Sequence, residues 1–303
     1  MKPVAFDYAR PASVREACAM LADDADARIL AGGQSLIPML AMRLARPSRL
    51  VDIARIPELS HIEDAGTHLA VGAATRQAIA ERDPLVARKA PLLAKALPWV
   101  GHAPTRNRGT VGGSIANGDP AAEIPLVAVT LEATLVVATT QGTRELAAAA
   151  FHLGPMLTAL PEGGVLTAVR FPVWTGERIG TGFQEVAAHR SDFALAAAAA
   201  QVALDGQGRC IALAVGIGGA CATPVRLDAA GALIGRPLEE AAVREAVEAA
   251  TAGLETLRDH HASAAYRRRV AATLARRAIL EARDEAAAGG GLNARLAGGQ
   301  HAR

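Results

Sequence analysis

Arg106 to Glu123 reads R-N-R-G-T-V-G-G-S-I-A-N-G-D-P-A-A-E, and its reading decides the fold. Four of the eighteen residues are glycine (Gly109, Gly112, Gly113, Gly118), with Thr110, Ser114, Asn117 and Asp119 between them. The composition fits neither an ordinary helix nor an ordinary strand. Glycine allows positive φ and lets another group approach the backbone closely. Successive exposed N–H groups in such a turn form a concavity that attracts anions. The stretch reads as half of a dinucleotide site. The other half is A-G-G-Q-S, Ala31 to Ser35, where a short apolar run feeds a double-glycine turn and Ser35-Leu36 opens a helix. That is the outline of a phosphate-binding turn. A Gly-Gly pair alone is equally an ordinary tight turn.

Outward from these bends, the N-terminal half alternates short helices and strands. Ser13 with Glu16 forms a capping box, and Val14, Ala17, Cys18 and Leu21 follow at helical spacing. Strands are predicted over Arg28–Ala31, Leu50–Ile53, Ala133–Thr139, Thr143–Leu146 and Val165–Phe171, with a hairpin over His61–Gly72 turning at Asp64-Ala65-Gly66. Thr75 is placed as the cap of a helix carrying Ile79. Pro84 is expected to start a helix running to about Leu97, and Ile124–Leu131 is expected to be helical. Pro172–Gly182 has the glycine and proline content of a linker. Beyond it, Phe183–Val186 and Arg209–Ile217 read as strands and Leu238–Ala250 as a helix. Ser263–Arg283 reads as a long basic helix with Val270, Leu274, Ala278 and Leu280 on one side. Phe193–Leu204 is ambiguous: its alanines favour helix, its position between strands favours sheet.

The 303 residues suffice for two domains. Hydrophobic residues make up 51% but aromatics only 3%, so the core must rest on Ala, Val, Leu and Ile. A net charge of +2 without a basic block argues against nucleic acid as a partner. Cys18, Cys210 and Cys221 form no C-x-x-C pair, and an iron–sulfur cluster usually takes four cysteines. Scattered histidines give no metal-ligand grouping, so no metal is expected. The N-terminus has no apolar signal-peptide core. No apolar run approaches the ~20 residues of a spanning helix. A soluble, cytoplasmic protein is the expectation.

Several chemistries fall away. Neither bend is G-x-G-x-x-G, and no G-K-[ST] follows either one. G-G-Q-S-L is not a nucleophile elbow. Two glycine bends far apart in sequence suit a bulky diphosphate cofactor lying between lobes, such as a flavin dinucleotide.

The pair A-G-G-Q-S-L-I-P-M-L and T-R-N-R-G-T-V-G-G-S-I-A-N-G-D-P-A-A-E resembles the FAD-binding medium subunit of molybdenum hydroxylases, the carbon monoxide dehydrogenase and xanthine dehydrogenase FAD-subunit family. The likeness continues through F-Q-E-V-A-A-H-R-S-D-F-A (Phe183 to Ala194) and G-G-A-C-A-T-P-V-R (Gly218 to Arg226). It implies an α+β fold: a two-lobed vanillyl-alcohol-oxidase (PCMH-type) FAD-binding domain over 1–174, and a smaller α+β domain over 180–284. A disordered tail is expected over 285–303. By matched motif, Ala31, Gly32, Gly33, Gln34 and Ser35, with Leu36 beside them, wrap the pyrophosphate. Thr110, Gly112, Gly113 and Ser114 close the other side. Asn117 and Asp119 bond near the flavin, Glu123 matches an acid that binds the adenosine ribose, and Leu166 offers its backbone.

Two departures stand out. Gln184 takes the place of a lysine of xanthine dehydrogenases, and those proteins place an aromatic residue near the position of Val100. Roles for Arg106, Arg108, His189 and Arg190 stay open. The family implies an electron-transfer subunit with no catalytic side chain of its own. Its implied partners are a molybdopterin large subunit and a [2Fe-2S] small subunit, in a dimer of heterotrimers. The alternatives are a stand-alone FAD oxidoreductase of the same fold and a non-redox nucleotide-binding subunit.

Overall fold

The computed structural model describes residues 2–176, 178–189 and 191–289. Helix α1 (Val14–Asp23) starts at Ser13, whose side chain accepts from the Glu16 amide. Glu16 reaches back to the amide of Ala12, so the capping box closes one residue earlier than its usual form. Around α1, strands β1 (Asp7–Ala9), β2 (Arg28–Leu30) and β3 (Arg49–Asp52) make a parallel sheet in the order β1-β3-β2. Between β2 and β3 the chain makes the first glycine bend and the short α2 (Leu36–Ala41). Ala17, Cys18, Leu21, Val51 and Ile53 form the core of this first lobe.

The second lobe is an antiparallel sheet of order β4-β5-β10-β6-β7. Strands β4 (Ile62–Asp64) and β5 (His68–Gly72) form the expected hairpin. After β5 come α3 (Gln77–Arg82), α4 (Pro84–Lys89), α5 (Pro91–Ala96), α6 (Ala103–Arg108), α7 (Val111–Asn117) and α8 (Glu123–Thr130). Then follow β6 (Thr134–Thr139), β7 (Gly142–Ala147), α9 (Ala148–Phe151), the small hairpin β8 (His152–Gly154) with β9 (Leu157–Thr158), and β10 (Val165–Pro172). The hydrophobic α8 is buried on every side, which is why its apolar residues show no stripe.

Four expectations are corrected here. Thr75 does not cap α3: Arg76 precedes that helix, and the Thr75 hydroxyl donates to the His61 carbonyl. The helix expected over 84–97 is two, because Pro91 lacks the N–H that would continue the first. The glycine stretch is partly helical: α7 spans Val111–Asn117, capped by Thr110 at one end and by Gly118 (φ +66°) at the other. W-V-G-H-A-P-T-R-N ends in α6.

The C-terminal part is a sheet of β11 (Ile179–Val186), β12 (Ala196–Leu204), β13 (Cys210–Gly218) and β14 (Val225–Arg226), in that order, with α10 (Ala230–Leu233), α11 (Glu240–Thr251) and α12 (Ala264–Ala287). The linker is therefore shorter than Pro172–Gly182: Pro172 still pairs with His68, and β11 begins at Ile179. Phe193–Leu204 resolves as strand from Ala196. Every residue of β12 is buried. Ala197 and Ala199 enter the core of the second lobe, while Ala196, Ala198, Ala200 and Val202 enter the core beneath α12. Burial on both faces overrides the helix preference of alanine.

Glycines let α12 lie directly on β11. A Cβ on Gly180 would stand 2.0 Å from the Ala282 carbonyl oxygen, and one on Gly182 2.0 Å from that of Ala278. On α12, Leu274 and Ala278 are buried as expected, but Val270 and Leu280 sit at the margin, and Ala271, Ala275, Ile279 and Ala282 complete the face. The helix continues to Ala287, beyond the expected start of the tail at 285, and 290–303 lie outside the described residues.

Lys95 on α5 joins the two parts. Its Nζ donates to the Thr181 carbonyl (2.6 Å), Glu281 (3.1 Å) and Glu285 (2.7 Å). Burial pushes the Glu285 carboxyl upward, but hydrogen bonds from Lys95 and Thr181 outweigh it and hold the group below its ordinary value.

Candidate functional site

The two glycine bends meet. Gly33 has φ +75°, a conformation that any side chain would strain. Gly32 is where the bends touch: a Cβ there would stand 2.4 Å from the Arg108 carbonyl oxygen and 2.7 Å from Gly109 Cα. The second bend is fixed to the chain after β5. Val111 N donates to the Thr75 carbonyl (3.0 Å) and Gly112 N to that of Ala73 (2.9 Å). A Cβ on Gly112 would strike Ala73 at 2.4 Å. Thr110 Oγ1 accepts from Gly113 N at 3.0 Å. Below Gly118, Asp119 Oδ1 accepts from Ala121 N (2.9 Å) and so turns the chain into α8.

Between the bends opens a cleft of about 660 Å³, within the usual range of cofactor pockets. Ala31, Gly32, Gly33, Gln34, Ser35, Leu36, Thr110, Gly112, Gly113, Ser114, Asn117, Asp119, Glu123 and Leu166 all line it. Among the described residues, the backbone N–H groups of Gly32, Gly33, Gln34 and Ser35 meet no protein acceptor. Four consecutive unpaired donors at a glycine turn fit a diphosphate, whose oxygens accept only. Leu166 stands beside a register shift between β10 and β6, where the ladder is interrupted.

Other lining residues were not among those expected at the site. Leu21, Ala27, Ile29 and Ile53 make an apolar end at the first lobe; in sequence they are ordinary core residues. Val100, Gly101, His102 and Thr105 border the cleft between α5 and α6. Ser191, Asp192 and Phe193 form a lip from the C-terminal part. Ser191 has φ +70° and the Phe193 side chain is exposed.

Arg28 lines the cleft with its guanidinium bonded to the carbonyls of Ala25 and Ala27, and the other charged lining residues, Asp119, Glu123, Glu162 and Asp192, are acidic. Burial raises the Asp119 carboxyl. Burial, with Asp119 adding to it, raises Glu123 to about 7. Behind it on β11, burial raises Glu185 to about 8, with the Glu123 charge contributing.

The arginines left open in the sequence take structural places. Arg106 donates to both oxygens of Glu81 (2.7 and 3.2 Å) and to the carbonyls of Val100 and Gly101. Its work is to hold the cleft wall rather than to meet an anion. Arg108 is exposed, and its carbonyl accepts from Arg76. His189 is exposed and pairs with Asp192 at 2.9 Å; Arg190 lies outside the described residues. Gln184 turns away from the cleft and donates to Glu281 on α12 at 2.8 Å, so its difference from a lysine does not bear on the cleft directly. Among the described residues no group of His, Cys, Asp and Glu could hold a metal ion.

Comparison with known proteins agrees with this geometry. The FAD binding domain in molybdopterin dehydrogenase matches residues 4–174, and the CO dehydrogenase flavoprotein C-terminal domain matches 181–282. The carbon monoxide dehydrogenase medium chain of Afipia carboxidovorans is 36% identical over 94% of this chain and 99% of its own. The 6-hydroxypseudooxynicotine dehydrogenase complex subunit alpha of Paenarthrobacter nicotinovorans is 36% identical over 93% of this chain and 96% of its own. A chain in the crystal structure of quinoline 2-oxidoreductase from Pseudomonas putida 86 superposes with a TM-score of 0.89 at 40% identity, covering 94% of this chain and 99% of that one. With both domains matched along nearly its whole length, the chain belongs to the family of FAD-binding medium subunits of molybdenum hydroxylases.

Proposed function

We propose that the cleft holds FAD with its diphosphate between the two bends, and that the chain carries electrons from partner subunits to an external acceptor. The observation that carries this is the convergence of Gly32 with Gly109 around four unpaired backbone donors. FAD bound there supplies a redox couple that no side chain of the protein offers. The chain's own part is to bind and orient. Gly32 to Ser35 and Thr110 to Ser114 neutralise the diphosphate, Leu36 packs beside it, and Asn117, Asp119 and Leu166 flank the ring. Glu123 offers its carboxyl to a cofactor hydroxyl. Residues 1–174 form the cofactor domain and 180–284 the second domain.

In this reading, a molybdopterin-bearing large subunit and a [2Fe-2S] small subunit complete the assembly, as a cytoplasmic dimer of heterotrimers. No helix among the described residues is long and apolar enough to cross a membrane. Replacing Gly33 by Asp puts a strained residue and a negative charge at the diphosphate. In the assembled complex we expect Gly33→Asp to reduce FAD per subunit from near one to below about a tenth, since charge repulsion adds to strain. Full flavin content in that variant, read from absorbance and phosphorus-free protein assay, contradicts the assignment.

A further inference from the structure

Gln77, the first residue of α3, lines the cleft and is only 5% exposed. Its backbone N–H donates to the Gly109 carbonyl at 2.9 Å. Its side-chain Nε2 donates to the Thr110 carbonyl at 3.3 Å. One residue thus holds two successive carbonyls of the second bend. Arg76 beside it donates to the carbonyl before them, that of Arg108. A carbonyl only accepts, so the amide must present its NH2 to Thr110 and its Oε1 to the other side. There Oε1 is buried with no hydrogen-bond partner. An apolar side chain would fill that space without burying an unpaired acceptor. What the amide adds is the bond to Thr110.

The same amide explains Gly109. Its φ is −56°, which any residue adopts. A Cβ there would stand 2.5 Å from Gln77 Oε1 and 2.8 Å from Gln77 Cδ. Gly109 is therefore glycine to admit the Gln77 side chain, not to make a left-handed turn. The consequence falls on the peptide between Gly109 and Thr110. In a trans peptide the carbonyl and the following N–H point opposite ways. With the Gly109 carbonyl fixed on the Gln77 N–H, the Thr110 N–H is aimed away from the Gln77 backbone and meets no protein acceptor among the described residues. Thr110 lines the cleft. Its Oγ1 accepts from Gly113 N at 3.0 Å and keeps an O–H to donate.

We infer that Gln77 is a positioning residue for the cofactor: it fixes the Gly109 to Thr110 segment so that the Thr110 N–H and hydroxyl serve the diphosphate, across from Gly32 to Ser35. The inference rests on the reading of the cleft as the FAD site and adds to it the residue that orients the second bend. Without the side-chain bond, the peptides on either side of Thr110 turn more freely. A rotated peptide presents its carbonyl, an acceptor, where the anion needs a donor. FAD binding then weakens at the diphosphate, while the flavin ring keeps its surroundings.

The test uses the assembled complex stripped of flavin and titrated with FAD, read by flavin fluorescence. Gln77→Met keeps the length and neutrality of the side chain and removes the donor. It should raise the FAD dissociation constant about tenfold. The phosphorus NMR signals of FAD bound to this variant should move from their wild-type positions while the visible flavin band stays in place. A general loosening of the fold would not confine the change to the diphosphate. Gly109→Ala displaces the same amide without altering Gln77 and should weaken FAD by a similar factor. Combining Gly109→Ala with Gln77→Ala should add little to Gln77→Ala alone, because both act through one contact. A Gln77→Met constant within about twofold of the wild type overturns the inference. Unmoved phosphorus signals overturn it too, as do losses that simply multiply in the double variant. Each of those results leaves the cleft as the FAD site. FAD that fails to bind the assembled wild type overturns the reading of the cleft, and the role of Gln77 with it.

Discussion

Arg106 shows how a residue's role follows from what it touches. Its side chain is 13% exposed and that of Glu81 20%, so the fork between them is largely out of water. Removing the guanidinium leaves the Glu81 carboxylate and two loop carbonyls short of donors. Arg106→Ala should lower stability by about 2–4 kcal/mol, with FAD content falling because Val100 and Gly101 border the cleft; denaturant unfolding of the subunit checks it. The same residue marks the limit of sequence reading. Its neighbours Gly109, Gly112 and Gly113 were legible, because a Cβ at each would collide with Gln77, Ala73 or Thr110, so the bend calls for glycine. The partner of Arg106 was not, because Glu81 lies on a different helix and nothing in the local sequence ties the two together. Glu185 was silent too: its carboxyl is raised chiefly by burial, which the local sequence does not show, with the Glu123 charge adding to it.

Among the elements, β11 and α12 show a contact set by two missing side chains. Gly180 and Gly182 let the helix backbone rest on the strand. Gly182→Ala has no room to accommodate its methyl except by lifting α12, since the obstructing atom is backbone carbonyl rather than a side chain that can turn. Such overpacking should cost about 1–3 kcal/mol. It should also strain the Lys95 bridge that ends on Glu281 and Glu285. Hydrogen exchange along β11 and α12 should rise together; exchange unchanged from the wild type would show that the helix has slack. These glycines looked in sequence like linker glycines, and the linker was therefore drawn too long. In β12 the local preference of alanine pointed to helix, and only burial on both faces decided for sheet. The strands of the first two sheets, β1 excepted, were readable from apolar runs, alternation and turn residues. The helix over 111–117 was not, because two glycines hid it, and what stabilises it is the Thr110 cap and the packing of Val111 and Ile115.

At the scale of the whole molecule, the acids at the domain boundary give stability a pH dependence of unusual sign. Glu123 and Glu185 have folded-state pKa values raised from 4.5 to about 7 and 8, chiefly by burial. Between pH 4.5 and 8 the folded chain holds more protons than the unfolded chain, so their contribution to stability falls as pH rises across that window. Thermal denaturation should show Glu185→Gln gaining on the wild type as pH goes from 6 to 8.5. A gap between the two that is constant with pH would mean Glu185 titrates normally. The two lobes and the C-terminal sheet meet around one cleft, and the account stands on what that cleft holds between its glycine bends. The direct measurement is a map of the assembled, FAD-loaded complex. The account predicts the diphosphate oxygens within about 3.2 Å of the backbone nitrogens of Gly32 to Ser35, with the second bend closing the other side. A diphosphate bound elsewhere, with both glycine bends facing solvent, would contradict it.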